Sequence, residues 1–238
     1  MNTVAAFTNS SIGKKWIVAI TGLSLVGFVI VHMLGNLQIL WPNHGGMEHI
    51  NSYAQHLHDL SPLLWLARIV LLVFFFAHIY YTIKLARENR AARPQKYARP
   101  ARIVASVPVL TMIISGLILL GFILFHLAHF TFKWVKPEYQ TYYDAAGRPD
   151  VYHMVVIGFS SWLISGFYIL SMFLLCMHIS HGFSSVFQTF GIRNKMLAPL
   201  LDKGSYVLGF ILFAGNSAIP LAILFHIIRY PAPLSYHP

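Results

Sequence analysis

Apolar residues in this chain are gathered into long blocks that are separated by short polar segments. A helix needs about 20 apolar residues to cross a membrane, and five blocks reach that length. They cover residues 16–40, 62–83, 103–132, 153–187 and 205–228. The pattern predicts an all-α fold, an integral membrane bundle of five transmembrane helices that forms a single domain over residues 1–238.

The composition also indicates a membrane protein. Of the 238 residues, 57% are hydrophobic and only 10% are charged, whereas a soluble domain carries roughly 25% charged residues. The first block lacks a small-residue cleavage site, so we interpret it as a retained span. The net charge of +10 does not indicate a nucleic-acid partner, because nearly all Lys and Arg lie in the connections between spans.

The basic residues also predict the orientation of the chain. They precede the first span, fill the connection Lys84–Arg102 with seven Lys and Arg, and follow the fourth span. With five spans these three segments fall on one face, which the positive-inside rule makes cytoplasmic. We therefore expect a multi-pass protein of the cytoplasmic (inner) membrane, with the N-terminus inside and the C-terminus outside.

Each of the first four predicted spans contains a candidate histidine. The candidates are His32, His78, His126 or His129, and His178 or His181. An ionisable side chain inside a membrane is costly and by default marks a functional site. With ~1.5 Å of rise per residue, His32 lies about 26 Å beyond Lys15, whereas His78 lies only about 9 Å before Lys84. Spans one and three therefore offer a pair near the outer face, and spans two and four a pair near the cytoplasmic face.

Two imidazoles at each of two depths are what two b-type haems with paired histidine ligands require. Covalent haem attachment is not expected, because the chain has no C-x-x-C-H motif. A single zinc or copper ion fits less well, because two separate levels cannot share one metal. The alternative is that these histidines are ordinary interhelical hydrogen-bonding groups. Small residues near the candidates, such as Gly22, Ser115 and Gly116, leave room for a haem edge but are also usual at helix contacts.

Four segments around these histidines resemble a known family, the cytochrome b membrane-anchor subunit of succinate dehydrogenases and fumarate reductases. The likeness is to the single-chain, five-span, dihaem type, and it extends over nearly the whole chain. The segments are TGLSLVGFVIVHMLGNL, FFFAHIYYTIK, FHLAHFTF and HISHGFSSVFQTFG, with histidines spaced by 46, 48 and 52 residues. The order and spacing of the four motifs together are more specific than any one of them.

The resemblance implies two haem b groups and selects among the candidate ligands. It makes His32 and His126 the axial ligands of the outer haem iron, and His78 and His178 those of the inner haem iron. In the family, the fourth-span ligand lies thirteen residues before a glycine that ends the span, and Gly191 therefore selects His178 over His181. The Phe-His-Leu context selects His126 over His129. We expect His129 and His181 to be hydrogen-bonding groups near helix ends.

The resemblance also implies the partners. The chain would be the non-catalytic, electron-transfer and quinone-reactive subunit of a succinate:quinone oxidoreductase. It would bind a flavoprotein and an iron–sulfur subunit on the cytoplasmic face and exchange electrons with a membrane quinone, usually menaquinone. The dicarboxylate site would belong to another chain. The sequence leaves open the direction of the reaction and the presence of a dimer of complexes.

Two further positions within the spans bear on this hypothesis. Arg68 lies inside the second span near its outer end, where a charge needs a partner. We interpret it as a contact for a haem propionate or a quinone oxygen, with snorkelling to the membrane surface as the alternative. Some family members carry a glutamate, thought to serve proton movement, two positions before the fourth-span ligand. Cys176 occupies that position here, so a proton route through it is not expected.

Two other functions remain as alternatives. A cytochrome b subunit of a hydrogenase or formate dehydrogenase would keep the haems and change the partner. A proton-coupled membrane transporter would use the buried histidines as a proton relay and would bind no haem.

Overall fold

The computed structural model describes residues 3–42, 45–92 and 107–230. Within these ranges the chain forms helices and no β-strand. The α-helices are α1 (Thr3–Asn9), α2 (Ser11–Leu37), α3 (Gly45–Asp59), α4 (Ser61–Ala91), α5 (Val107–His126), α6 (Val151–Phe159), α7 (Trp162–Thr189) and α8 (Ala198–Leu224). Five of the helices described, namely α2, α4, α5, α7 and α8, are long and apolar enough to cross a membrane. The predicted all-α fold with five spanning helices is confirmed.

The predicted fourth span is divided in the structure. The block 153–187 was expected to be one helix, but α6 ends at Phe159 and α7 begins at Trp162. Serine hydroxyls bond to the backbone on both sides of this break: Ser160 donates to the carbonyl of Val156 at 2.7 Å, and Ser165 donates to that of Phe159 at 2.7 Å. Such local hydrogen bonds offer the backbone an alternative to a continuous helix.

The ends of the last two spanning helices follow from local backbone geometry. Gly191 adopts a φ of 75°, and the N–H of Ile192 donates to the carbonyl of Phe187 at 3.0 Å, which closes α7 in a Schellman motif. The fifth span was predicted to cover 205–228, but α8 begins earlier and ends at Leu224. His226, with a φ of 58°, stops α8 in the same manner.

Two compact units can be distinguished in the chain. The described residues of the first unit lie within Met1–Val31, Pro62–Leu117 and Leu174–Ile211. Those of the second unit lie within His32–Ser61, Ile118–Phe173 and Leu212–Pro238. The first unit contains all of α1 and nearly all of α4, and the second contains all of α3 and α6. The prediction of one domain over residues 1–238 stays a prediction.

An ion pair between a buried lysine and a partly exposed glutamate links α2 to α4 within the first unit. Lys14 is only 4% exposed, and its ammonium group lies 2.6 Å from the carboxylate of Glu88. Lys14 thus lies inside α2, which starts five residues before the predicted first span. The ion pair satisfies a charge that would otherwise be costly to bury.

The second unit contains a helix that was not predicted. The polar segment between the first two predicted spans, residues 41–61, was expected to be a loop. Its residues Gly45–Asp59 form α3. A helical spacing of apolar residues, at Met47, Ile50, Ala54 and Leu57, is the signal for it. Ile50 is buried, and α3 packs against α6.

Asn51, which is 0% exposed, joins α3 to the segment before α6. Its amide nitrogen donates to Asp150 at 3.1 Å and to Asp144 at 3.3 Å, and its oxygen accepts from the backbone N–H of Tyr152 at 3.0 Å. Asp150 also caps α6 by accepting from the N–H of His153. One buried amide therefore holds the start of α6 in place.

Arg148 completes this polar cluster at its exposed side. Its guanidinium group bonds to both carboxylate oxygens of Glu48, at 2.7 and 2.6 Å, and to Asp144 at 2.8 Å. The hydrogen bond from Arg148 lowers the pKa of Glu48 to about 2. Burial alone would raise the pKa of Asp144, but the hydrogen bonds from Arg148 outweigh it and the pKa is lowered. Both carboxylates are therefore ionised near neutral pH.

Replacing Asn51 with leucine should destabilise the second unit by about 2–3 kcal/mol, because buried polar groups of Asp150 and Tyr152 lose their partner. Thermal unfolding of the purified protein in detergent measures the change. Gln55→Leu is the matched control, because Gln55 lies on the same helix and bonds only to exposed Asp59. Equal losses of stability in the two variants would contradict the prediction.

Candidate functional site

The four candidate ligands fall into two pairs, each within one unit. His78 and His178 belong to the first unit, and His32 and His126 belong to the second. His78 and His178 lie close enough for their charges to interact. The rings of His32 and His126 are in contact, with centroids 5.8 Å apart and planes at 89°. The structure thus brings the rings of His32 and His126 into contact and places His78 and His178 in one unit, and these are the two pairs that the depth estimate predicts.

The ring of His78, on α4, is held by α2. Its Nδ1 lies 3.2 Å from the carbonyl oxygen of Val18 and 3.2 Å from the hydroxyl of Thr21. A carbonyl can only accept, so Nδ1 carries the proton and donates it. The hydroxyl of Thr21 donates to the carbonyl of Ile17 at 2.7 Å, so its oxygen can accept from His78 as well. The lone pair of the imidazole is therefore on Nε2.

The ring of His178, on α7, is held by α5 in the same way. Its Nδ1 lies 3.2 Å from the hydroxyl of Ser115. Ser115 donates its own proton to the carbonyl of Met112 at 3.0 Å. Nδ1 of His178 is again the protonated nitrogen, and Nε2 again carries the lone pair. Hydrogen bonds of this kind, from the second nitrogen of a ligating histidine, are usual at metal sites.

A hydroxyl residue followed by glycine supports each histidine of the inner pair. The dipeptides are Thr21–Gly22 on α2 and Ser115–Gly116 on α5. A Cβ at Gly22 would lie 3.0 Å from Cε1 of His78, and one at Gly116 would lie 3.5 Å from Cε1 of His178. The absence of a side chain at Gly22 is thus what lets the ring of His78 reach Val18.

Gly22→Val should push the ring of His78 away from the carbonyl of Val18, because the new Cβ occupies the position against which Cε1 packs. If this pair holds a haem, its affinity should fall by about tenfold to 100-fold, the usual cost of losing an outer-shell partner of a metal ligand. Haem retention during purification, measured from the absorption spectrum, checks this. The control is Gly27→Val, because a Cβ there has nothing within 4 Å. Equal haem loss in both variants would contradict it.

The outer pair has different supports. Nδ2 of Asn36 donates to Nε2 of His32 at 3.0 Å, which places the lone pair of His32 on Nε2. A ligand at that nitrogen would replace this hydrogen bond. On the other side, Nδ1 of His126 lies 3.4 Å from the hydroxyl of Tyr168 on α7.

The alternative candidates, His129 and His181, have other surroundings. His129 is fully buried, and both of its nitrogens face tyrosine hydroxyls: Tyr168 at 3.1 Å and Tyr139 at 3.4 Å. A histidine with both nitrogens engaged is poorly placed to bind iron, which favours His126. His181 lies on α7 near Asp202 and Arg193, which form an ion pair at 2.8 Å.

Arg68 lies over the ring of Trp65 on the same helix, with its guanidinium carbon 5.0 Å from the ring centroid. It belongs to the first unit. This cation–π contact stabilises the guanidinium group where it is. The role of Arg68 as a contact for a propionate or a quinone oxygen stays a prediction.

The chemistry of the donor set fits a haem. A haem iron takes two protein ligands, and the four candidates form two pairs of imidazoles. His32, His78 and His178 have their lone pair on Nε2, the nitrogen that would bind the iron. Within the described part of the chain, no group of three or more His, Cys, Asp or Glu could hold a metal ion.

The residues that support the histidine rings were not predicted from the sequence. Thr21, Ser115, Tyr139 and Tyr168 bond to histidines through hydroxyl groups, and Asn36 through its amide. The rotation of each helix about its axis decides which polar group lies beside a ring. The available signal was weak: Thr21 and Tyr168 are polar groups inside apolar spans, where a polar side chain needs a partner.

The fold and these contacts define a class, a multi-pass α-helical membrane protein with two pairs of histidines inside its spans. No protein-family model matches the chain, and no curated protein or solved structure matches it.

Proposed function

We propose that this chain is a dihaem cytochrome b, the membrane anchor of a succinate:quinone oxidoreductase. The observation that carries the proposal is the pairing of four histidines, each from a different spanning helix, into two sets of two. Ordinary interhelical hydrogen bonding would not require such pairing. The motifs around the histidines, which resemble the anchors of succinate dehydrogenases and fumarate reductases, favour this kind of cytochrome over others.

The side chains have distinct roles in this proposal. His78 and His178 hold the inner haem through Nε2, and His32 and His126 hold the outer one. Val18, Thr21 and Ser115 keep the proton on Nδ1 of the inner ligands, which orients the rings and makes Nε2 more basic. When bound, each haem supplies a one-electron carrier whose potential depends on its ligands and surroundings. The apolar helices around the pairs exclude water from them.

The cytoplasmic face would bind the partners. We place a flavoprotein and an iron–sulfur subunit there, next to the basic connection predicted over Lys84–Arg102. Lys84, Arg87 and Arg90 of this connection lie on α4, and the remainder, 93–102, lies outside the described residues. Electrons would pass between the iron–sulfur subunit and menaquinone, in the cytoplasmic (inner) membrane, with the N-terminus inside. The dicarboxylate site lies on the flavoprotein.

Purification of the complex from its native membrane tests the proposal. We expect two haems per chain in the pyridine haemochrome assay, an α-band in the reduced-minus-oxidised spectrum, and large subunits that contain flavin and iron–sulfur clusters. Nickel or molybdenum in the large subunits would instead identify a hydrogenase or formate dehydrogenase anchor. A chain with no α-band would be a transporter or another haem-free protein, and the proposal would be wrong.

A further inference from the structure

A chain of hydrogen bonds leads away from the outer pair inside the second unit. Nδ1 of His126 lies 3.4 Å from the hydroxyl of Tyr168, and that hydroxyl lies 3.1 Å from Nδ1 of His129. Nε2 of His129 lies 3.4 Å from the hydroxyl of Tyr139. Four side chains are therefore connected in the order His126, Tyr168, His129, Tyr139.

The members of this chain, apart from His126, are buried and rigidly packed. Tyr139 and His129 are 1% and 0% exposed. The ring of His129 stacks on Phe130, with centroids 4.0 Å apart. The ring of Tyr168 meets Phe122 and Phe159 edge to face, at 5.1 and 4.9 Å. This packing fixes where each hydroxyl and each ring nitrogen can point.

Counting protons gives the hydrogen bonds one direction. If His126 binds iron through Nε2, the proton of its neutral imidazole is on Nδ1 and is donated to the oxygen of Tyr168. The hydroxyl proton of Tyr168 is then free for Nδ1 of His129, at the shorter distance. The proton of His129 must be on Nε2, where it is donated to the oxygen of Tyr139. The donors of His126, Tyr168 and His129 then each have one acceptor inside the chain.

We propose that Tyr168 is a positioning residue for His126, and that His129 acts on His126 only through Tyr168. Tyr168 accepts the proton of Nδ1 and so keeps the lone pair of His126 on Nε2. His129 accepts the hydroxyl proton of Tyr168 and so prevents that hydroxyl from turning to donate to His126. The inference rests on the proposed function and adds to it a determinant of the outer haem's potential.

The experiment measures the two haem midpoint potentials in the purified complex, and His126→Ala identifies the outer one as the potential that disappears. An acceptor on Nδ1 makes the ligand more basic, which favours the ferric state. Tyr168→Phe removes the acceptor and keeps the ring. We expect Tyr168→Phe to lower the ratio of the affinities of the ligands for ferric and ferrous iron about tenfold. The midpoint potential of the outer haem then rises by about 59 mV, for a one-electron couple.

A double-mutant cycle tests the order of action. His129→Phe should raise the outer potential in the wild-type background and should have no further effect when combined with Tyr168→Phe, because its effect passes through the hydroxyl. His129→Gln should restore the wild-type potential, because the amide oxygen can accept from Tyr168. Tyr152→Phe is the matched control: Tyr152 lies in the same unit and donates to the carbonyl of Arg229 at 3.0 Å, away from the histidines.

The outcomes separate this inference from the proposed function. Two haems with an outer potential that Tyr168→Phe leaves unmoved would overturn the inference alone. Additive shifts from Tyr168→Phe and His129→Phe, or equal shifts of both haems, would also overturn it, since they indicate general loosening of the structure. A haem-free wild-type complex would overturn the proposed function and this inference together.

Discussion

His178→Ala is expected to abolish the inner haem while the outer haem remains at least partly bound, and His78→Ala is expected to do the same. If this pair holds a haem, removal of one imidazole would leave the iron with one protein ligand in place of two. The outer pair should be affected less, because His32 and His126 belong to the other compact unit and have separate supports. Haem per chain should fall from two to about one in the pyridine haemochrome assay.

The matched control for this experiment is His181→Ala. His181 lies three residues from His178 on the same helix, within electrostatic range of Asp202 and Arg193, so its removal should leave both haems bound. Full haem content in His178→Ala would remove that residue from the ligand set. Equal loss of both haems in His78→Ala and His178→Ala would contradict the assignment of the two residues to one haem.

His126→Ala and His32→Ala are expected to give the converse result, with the outer haem lost and the inner haem retained. His129 is connected to His126 through the hydroxyl of Tyr168, and it is therefore the imidazole that a replacement ligand for His126 would come from. His129 is held by two tyrosines and should not substitute for His126. Redox titration should show one potential in place of two.

His56→Ala provides the control for the outer variants. His56 lies on α3 in the same unit, and its side chain is exposed. Its removal should change neither haem content nor either potential. Retention of the outer haem in both His126→Ala and His32→Ala would show that the outer ligands are other residues.

The spanning helices could be predicted from the sequence because they depend on one property, the length of an apolar block. The ends of the helices could not, because they depend on single hydrogen bonds. Serine hydroxyls near residues 160–161 separate α6 from α7 although the whole block is uncharged. The amphipathic helix α3 was missed because its mean polarity resembles that of a loop, whereas its apolar spacing is helical.

The pairing of the candidate histidines could also be predicted, because depth in the membrane follows from counting residues along a helix. The contacts around each ring could not be predicted. They require the rotation of each helix and the proton position on each imidazole, and no sequence pattern encodes either. Thr21 and Ser115 could be recognised as supports of His78 and His178 only once their hydroxyls were seen beside Nδ1.

The inner histidines are oriented by the protein alone. The rings of His78 and His178 are anchored by backbone and hydroxyl groups of neighbouring helices. The nitrogen atoms that would bind a cofactor are therefore already oriented. The two side chains would lose little conformational entropy on binding. This preorganisation would favour slow release of the cofactor from the inner position. At the other pair, a cofactor that binds Nε2 of His32 would have to displace the hydrogen bond from Asn36.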